Sequence, residues 1–158
     1  MKTLVAGMLL LLASCTAIAP GHAAGPYVDA REYPSEAEGW ERFRAVEARL
    51  VRGFDAICGD TFCEGEFHNL QPLRFRCSVQ AASGRVGECL WTFTGSTARV
   101  DTATGRIAVD ARTWACRAPL AATTLLPVLL QTLEQDDALH VALPGTPDSI
   151  YDGLTACL

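Results

Sequence analysis

The sequence predicts one α+β domain with an N-terminal amphipathic helix, a three-stranded antiparallel meander and two C-terminal helices, cross-linked by three disulfides. Three observations lead to this fold class: apolar residues at helical spacing after residue 35, a two-residue alternation over residues 73–116, and six cysteines within residues 35–158. A chain of 158 residues fits one such domain. Its 49% hydrophobic and 20% charged residues exclude an intrinsically disordered protein.

The first predicted helix spans residues 36–56. Its apolar side chains recur every three or four positions: Trp40, Phe43, Val46, Leu50 and Phe54. Charged residues, Glu47 among them, occupy the positions between, and Ser35 and Glu38 have the spacing of a capping box. We expect this apolar stripe to pack in the core rather than against a partner.

Residues 73–116 alternate between apolar and polar, with glycine-bearing turns near residues 84 and 105, which predicts two successive β-hairpins. A first hairpin centred near Ser83 places Cys77 opposite Cys89, at a separation that a disulfide bridges. The second hairpin has a register that pairs apolar with apolar residues: Val100 with Ile107, Ala98 with Val109, Phe93 with Trp114, and Trp91 with Cys116. Because the inward parity switches near Gly95, we expect a bulge or kink there.

Two helices are predicted after the meander. The first covers residues 124–133 and is apolar nearly all round, which predicts burial; Pro127 is tolerated in its first turn. The second begins with Thr146 as the cap and Pro147 at the first position, and it brings Cys157 inward. The four remaining cysteines pair most simply as Cys58–Cys63 and Cys116–Cys157, although six cysteines allow other connectivities.

The N-terminus carries an export signal over residues 1–14, with one lysine before a short apolar run that is too short to span a bilayer as a helix. Its end, Leu12-Ala13-Ser14-Cys15, resembles the lipobox of bacterial lipoproteins. This resemblance implies that Cys15 becomes the first mature residue and carries lipid. Thr16, by resemblance to enterobacterial lipoproteins, favours the outer membrane with the domain facing the periplasm.

Residues 15–34 are rich in proline and glycine and are predicted to form a flexible tether, so that the folded domain covers residues 35–158. A competing cleavage site at Gly21-His22-Ala23 would instead release a soluble periplasmic or secreted protein. An exported chain with an even number of domain cysteines favours disulfides over zinc ligation.

The densest polar cluster lies just after the first helix and contains Asp60, Glu64, Glu66 and His68. If a disulfide joins Cys58 to Cys63, these carboxylates sit on a rigid loop that suits recognition of a partner. The alternatives are a solvated structural loop, a site for a hard cation and an acid–base pair. The spacing does not match a calcium-binding loop, and the serine-hydrolase, zinc-protease and nucleotide-binding motifs do not occur in the sequence.

Charge is distributed unevenly along the chain. Residues 67–117 carry seven arginines and three acids, whereas residues 118–158 carry five acids and no arginine. Arg74 and Arg76 share the polar face of the first meander strand, where they suit an acidic partner or complement the acidic helices of the same chain.

These features favour a non-enzymatic lipoprotein of the bacterial cell envelope that binds a protein partner, for example an inhibitor or immunity protein against an envelope-active toxin or hydrolase. Asp60, Glu64, Glu66, Arg74 and Arg76 are the candidate binding residues. The alternatives are a small periplasmic hydrolase or metal-binding protein that uses the Asp60, Glu64, Glu66 and His68 cluster, and a structural outer-membrane lipoprotein. We expect no cofactor and no metal, and the net charge of −5 argues against a nucleic-acid partner.

Overall fold

A computed structural model describes residues 26–158, which form a four-stranded antiparallel sheet and three α-helices. The elements in chain order are β1 (Tyr27–Asp29), α1 (Glu36–Cys58), β2 (Gln71–Gln80), β3 (Val86–Val100), β4 (Ile107–Arg117), α2 (Leu126–Leu133) and α3 (Ile150–Thr155). The predicted signal peptide (residues 1–14), the lipidation site Cys15 and the first part of the tether lie outside the described residues.

The sheet has one strand more than the sequence predicts. Tyr27–Asp29, within the segment assigned to the tether, forms β1 and pairs with Ser78–Gln80 of β2. A 3₁₀ turn (Ala30–Glu32) then leads into α1, and Ala30 is fully buried. The prediction of three strands is therefore wrong, because a three-residue strand is too short to show an alternation and depends on its pairing with β2.

Helix α1 buries most of the predicted stripe: Phe43, Val46, Leu50 and Phe54 are fully buried. Trp40 is the exception, because it remains 41% exposed and lies under the guanidinium groups of Arg31 and Arg44 instead. The predicted capping box at Ser35 is also wrong. The Ser35 hydroxyl donates to the Glu38 carboxylate, and the side chain accepts no backbone N–H group.

The predicted register of the β2–β3 hairpin is confirmed: Cys77 lies opposite Cys89, and the two form a disulfide across a Cα–Cα distance of 4.1 Å. Two residues further along the hairpin, on the same face, Phe75 lies opposite Trp91, and both are almost fully buried. This alternation places Phe75 and Cys77 on the face covered by α1, where the Phe43 and Phe75 rings stack at 5.9 Å.

The β3–β4 register is also confirmed, and it continues without a shift from Leu90–Arg117 to Val100–Ile107. The bulge expected near Gly95 does not occur in this pairing, but the β2–β3 pairing shifts its register between Pro72 and Arg74, opposite Phe93 and Thr92. A Cβ atom at Gly95 would lie 2.9 Å from Leu70 Cδ2 and 3.1 Å from Phe67 Cβ, so the glycine serves close packing. Beyond Gly95 the hairpin leaves the core, and the apolar side chains near its tip are exposed.

The C-terminal helices are shorter than predicted. α2 begins at Leu126 and has Pro127 in its first turn, whereas α3 begins only at Ile150. Ser149, rather than Thr146, caps α3, because its hydroxyl and the Asp152 carboxylate form the reciprocal bonds of a capping box. The disulfides Cys58–Cys63 and Cys116–Cys157 have the predicted pairing, and the second joins β4 to the residues after α3.

Candidate functional site

The acidic loop, residues 59–68, follows α1 directly and is closed at its start by the Cys58–Cys63 disulfide. Asp60 N–H donates to the Ile57 carbonyl at 3.1 Å, and the Thr61 hydroxyl donates to the same carbonyl at 2.7 Å. A 3₁₀ turn (Phe62–Glu64) follows. The first half of the loop is thereby fixed to the end of the helix.

Aromatic contacts hold the loop against the core. The Phe62 ring lies 5.8 Å from Phe54 and 5.6 Å from Tyr151, and the buried Phe67 packs edge-on against Trp114 at 5.1 Å. Such aromatic pairs contribute stability beyond the area they bury. The carboxylates between these anchors are thus presented on an ordered backbone.

Just beyond the loop, Asn69 makes two hydrogen bonds to Ser96 on β3. The Ser96 N–H donates to Asn69 Oδ1 at 2.7 Å, and Asn69 Nδ2 donates to the Ser96 hydroxyl at 2.9 Å. The loop is therefore attached at both ends, to α1 by the disulfide and to the sheet by Asn69.

Asp60 and Glu64 are exposed and unpaired: no basic side chain within residues 26–158 lies within 4.0 Å of either carboxylate. They follow the C-terminal end of the 23-residue helix α1, whose last turn contains no basic residue. The helix dipole makes this end negative, so further negative charge there is unfavourable for stability. A local arrangement that opposes stability is typical of functional sites.

Glu66 differs from the other two carboxylates because it has a cationic neighbour. Arg112 Nη2 lies 3.7 Å from Glu66 and 2.8 Å from Asp110, and its guanidinium covers the Phe67 ring at 4.9 Å. The hydrogen bond to Asp110 raises the pKa of Arg112 above its ordinary value. Sequence reasoning missed Arg112; its only signal is its position across from Gly95 in the predicted β3–β4 register.

His68 does not join the carboxylates. Its Nδ1 lies 3.2 Å from the carbonyl oxygen of Cys63. Within the described residues, no three His, Cys, Asp or Glu side chains are grouped so that they could hold a metal ion. The geometry therefore gives no support to the metal-binding or acid–base alternative built on Asp60, Glu64, Glu66 and His68.

Arg74 and Arg76 lie on β2, where they alternate with the buried Phe75 and Cys77, and neither is paired with a carboxylate of the acidic loop. Both have partners within the chain. Arg76 Nη1 lies 3.3 Å from Asp29, and Arg74 Nη1 lies 4.0 Å from the buried carboxylate of Glu47. The five predicted binding residues therefore do not form one cluster: Arg76 is paired with Asp29, whereas Arg74 approaches a carboxylate that Arg31 already binds.

A second polar pair, not selected from the sequence, borders the loop. His140 Nδ1 lies 2.8 Å from Asp137 Oδ1, and the His140 ring lies 4.8 Å from Tyr151, the residue that also contacts Phe62. Asp137 and the neighbouring Asp136 line an open depression of about 580 Å³. Arg49 Nη1 lies 3.7 Å from Asp136, so this pair of carboxylates has a cationic neighbour, unlike Asp60 and Glu64.

Two further findings concern the helices and the similarity of the chain to known proteins. None of the helices in the part of the chain that the structure describes is long and apolar enough to cross a membrane. The chain matches no protein-family model, no curated protein and no solved structure.

Proposed function

We propose that the protein is a non-enzymatic lipoprotein of the bacterial cell envelope whose acidic loop binds a basic surface of a protein partner. The single observation that supports this proposal best is the pair of unpaired, solvent-facing carboxylates, Asp60 and Glu64, held on an ordered loop at the negative end of α1. An inhibitor or immunity protein against an envelope-active toxin or hydrolase is the most concrete version of this function.

Two features support the proposed location in the cell envelope, and the disulfides support it more strongly than the N-terminal sequence does. Three disulfides indicate folding in an oxidising compartment outside the cytoplasm. The lipid anchor on Cys15 and the outer-membrane location belong to the proposal, and they rest on the resemblance of residues 12–15 to a lipobox. Cleavage after Ala23 would leave the binding function unchanged and the protein soluble.

The physical basis of binding is electrostatic complementarity on a preorganised loop. Carboxylates that lack a cationic partner within residues 26–158 attract a basic cleft, which raises the association rate and selects against acidic partners. Because the disulfide and the aromatic contacts already order the loop, little conformational entropy is lost on binding. The core of the site is therefore expected to be Asp60 and Glu64, with Glu66 contributing less because of Arg112.

The test compares two variants that remove the same charge. Asp60→Asn/Glu64→Gln neutralises the loop, whereas Glu36→Gln/Glu41→Gln neutralises two exposed acids on the first half of α1. Each tagged, full-length variant is expressed in the native host, cross-linked in intact envelopes and analysed by quantitative mass spectrometry. We expect one protein to be enriched with the wild type and the control and depleted with the loop variant.

The enriched protein is then purified and its affinity measured directly. Loss of two charge contacts is expected to weaken binding about tenfold or more, and added salt should weaken wild-type binding in the same direction. Equal affinities of the loop variant and the control would contradict the proposal. Suppressed activity of an enzyme or toxin partner supports an inhibitor, whereas a porin or peptidoglycan as the partner favours the structural alternative.

A further inference from the structure

The two edges of the sheet are protected unequally. On the β2 side, β1 pairs with residues 78–80, and Glu47 Oε1 accepts the outward N–H of Phe75 at 3.1 Å. On the other side β4 is the last strand and is 11 residues long; within residues 26–158 it pairs with β3 alone. Exposed edges of this length are normally blocked, because their free N–H and C=O groups are ready to pair with another strand.

Two hydrogen bonds at the ends of β4 show which of its residues direct their N–H and C=O groups toward β3. Asp101 N–H donates to the Arg106 carbonyl, and Ala118 N–H donates to the Cys89 carbonyl. In an antiparallel pair, alternate residues bond to the neighbouring strand. The even-numbered residues of β4 therefore bond to β3, and the odd-numbered residues turn their N–H and C=O groups outward: Ile107, Val109, Ala111, Thr113, Ala115 and Arg117.

The first five of these outward residues, from Ile107 to Ala115, carry no charge, and their backbone groups form no hydrogen bond within residues 26–158. Ile107 and Val109 are 68% and 67% exposed. Between Ile107 and Ala115, this outward row contains none of the charged side chains or prolines that usually protect an edge strand, and its one charged member, Arg117, lies at the end of β4. An uncharged row with free backbone groups suits an added β-strand.

We propose that β4 pairs antiparallel with β4 of a second copy of the chain, about a twofold axis at Ala111. Ala111 then faces itself, Val109 faces Thr113, and Ile107 faces Ala115 of the second copy. The residues of these pairs all have outward-pointing N–H and C=O groups, so the pairing makes about ten backbone hydrogen bonds. The two sheets join into one of eight strands through an isologous interface.

Charge selects this register over its neighbours. With the axis at Ala111, Asp110 lies opposite Arg112 of the second copy, and the same pair occurs twice by symmetry. An axis at Asp110 would place two aspartates opposite each other, and an axis at Arg112 would place two arginines opposite each other. Opposite charges across a strand pair are stabilising and like charges are destabilising, so the sequence of β4 is complementary to itself.

The first test removes an outward N–H without disturbing β3. Ala111→Pro is tolerated by a free edge, because the lost N–H has no hydrogen-bond partner in the part of the protomer that the structure describes. Sedimentation equilibrium of the full chain in density-matched detergent should give a dimer for the wild type. For Ala111→Pro we expect a dimer dissociation constant raised about ten- to hundredfold, since one hydrogen bond is lost on each side of the axis.

The second test addresses the register. Asp110→Arg and Arg112→Asp should each weaken the dimer, and the double exchange Asp110→Arg/Arg112→Asp should restore it. A monomeric wild type at the highest soluble concentration overturns the proposal, as does a dimer unaffected by Ala111→Pro. Binding of an unrelated extended peptide by a monomeric protein also overturns it. None of these outcomes bears on Asp60 and Glu64, which lie outside β4.

Discussion

Replacement of Glu47 is expected to destabilise the protein far more than replacement of an exposed charged residue. Glu47 lies on α1 with its side chain 10% exposed, and its Oε2 is 2.8 Å from Nη2 of Arg31, itself 9% exposed. Its Oε1 accepts the Phe75 N–H at 3.1 Å. One carboxylate thus joins α1 to the segment after β1 and to the backbone of β2.

The magnitude follows from what each variant leaves behind. Glu47→Ala removes both acceptors and strands the Arg31 cation in the interior, which costs about 3–5 kcal/mol of unfolding free energy. Glu47→Gln retains an amide oxygen for one donor, so about 1–3 kcal/mol is expected. Because a domain of this kind has only about 5–15 kcal/mol in total, Glu47→Ala is expected to be marginally stable.

A surface ion pair of similar geometry provides the control. Arg42 Nε lies 2.6 Å from Glu134 Oε1, but the two side chains are 41% and 40% exposed. The hydrogen bond from Arg42 lowers the pKa of Glu134, yet solvent screening limits the loss in Glu134→Ala to about 1 kcal/mol or less.

The assay is equilibrium urea unfolding of the disulfide-intact protein, followed by intrinsic tryptophan fluorescence, to which the buried Trp91 contributes. Arg31→Met/Glu47→Met should lose less stability than the sum of the single variants, because no lone charge remains. A loss of stability in Glu47→Ala no greater than that in Glu134→Ala would refute this reasoning.

Two further predictions concern local structure. In α1, a Cβ at Gly39 would lie 2.5 Å from the Arg31 carbonyl oxygen and 2.7 Å from that of Tyr33. Gly39→Ala should therefore lose about 1–3 kcal/mol of unfolding free energy in urea, despite the better helix propensity of alanine. A gain in stability would refute this contact. The hydrogen bond from Ser149 lowers the pKa of Asp152 below its ordinary value of 3.8. Because the folded pKa is the lower one, Asp152 stabilises the protein fully above about pH 4 and progressively less as pH falls through the folded pKa. Thermal unfolding should show Asp152→Ala less stable than the wild type at neutral pH, with a difference that shrinks as pH falls below about 4; a constant difference would contradict this assignment.

The strand pairing of the sheet was predictable where the alternation of apolar side chains and the positions of the cysteines agree. The positions of Cys77 and Cys89 fix the first hairpin, and apolar pairing such as Trp91 with Cys116 fixes the second. The same reasoning failed at Gly95, because the contacts of Phe67 and Leu70 with that glycine come from a loop whose path the sequence pattern does not reveal.

Tertiary partners were not predictable. Glu47 occupies a polar position of the helical pattern and yet is buried, since Arg31 and the Phe75 backbone satisfy it from distant parts of the chain. The acidic cluster was visible in the sequence. For the same reason, the sequence did not reveal that Glu66 pairs with Arg112 or that Asp60 and Glu64 have no basic partner within residues 26–158. Composition identifies charged groups, and only the fold decides which of them are neutralised.

The central claim is that an exported domain, closed by three disulfides, holds the acidic loop in an ordered conformation. Peptide mass spectrometry of protein isolated from the envelope, alkylated without reductant, tests it most directly. We expect a lipidated Cys15 at the N-terminus and disulfide-linked peptides for Cys58–Cys63, Cys77–Cys89 and Cys116–Cys157, with none of the six domain cysteines alkylated. Alkylated Cys58 or Cys63 in the native protein would contradict the ordered loop and, with it, the proposed binding site.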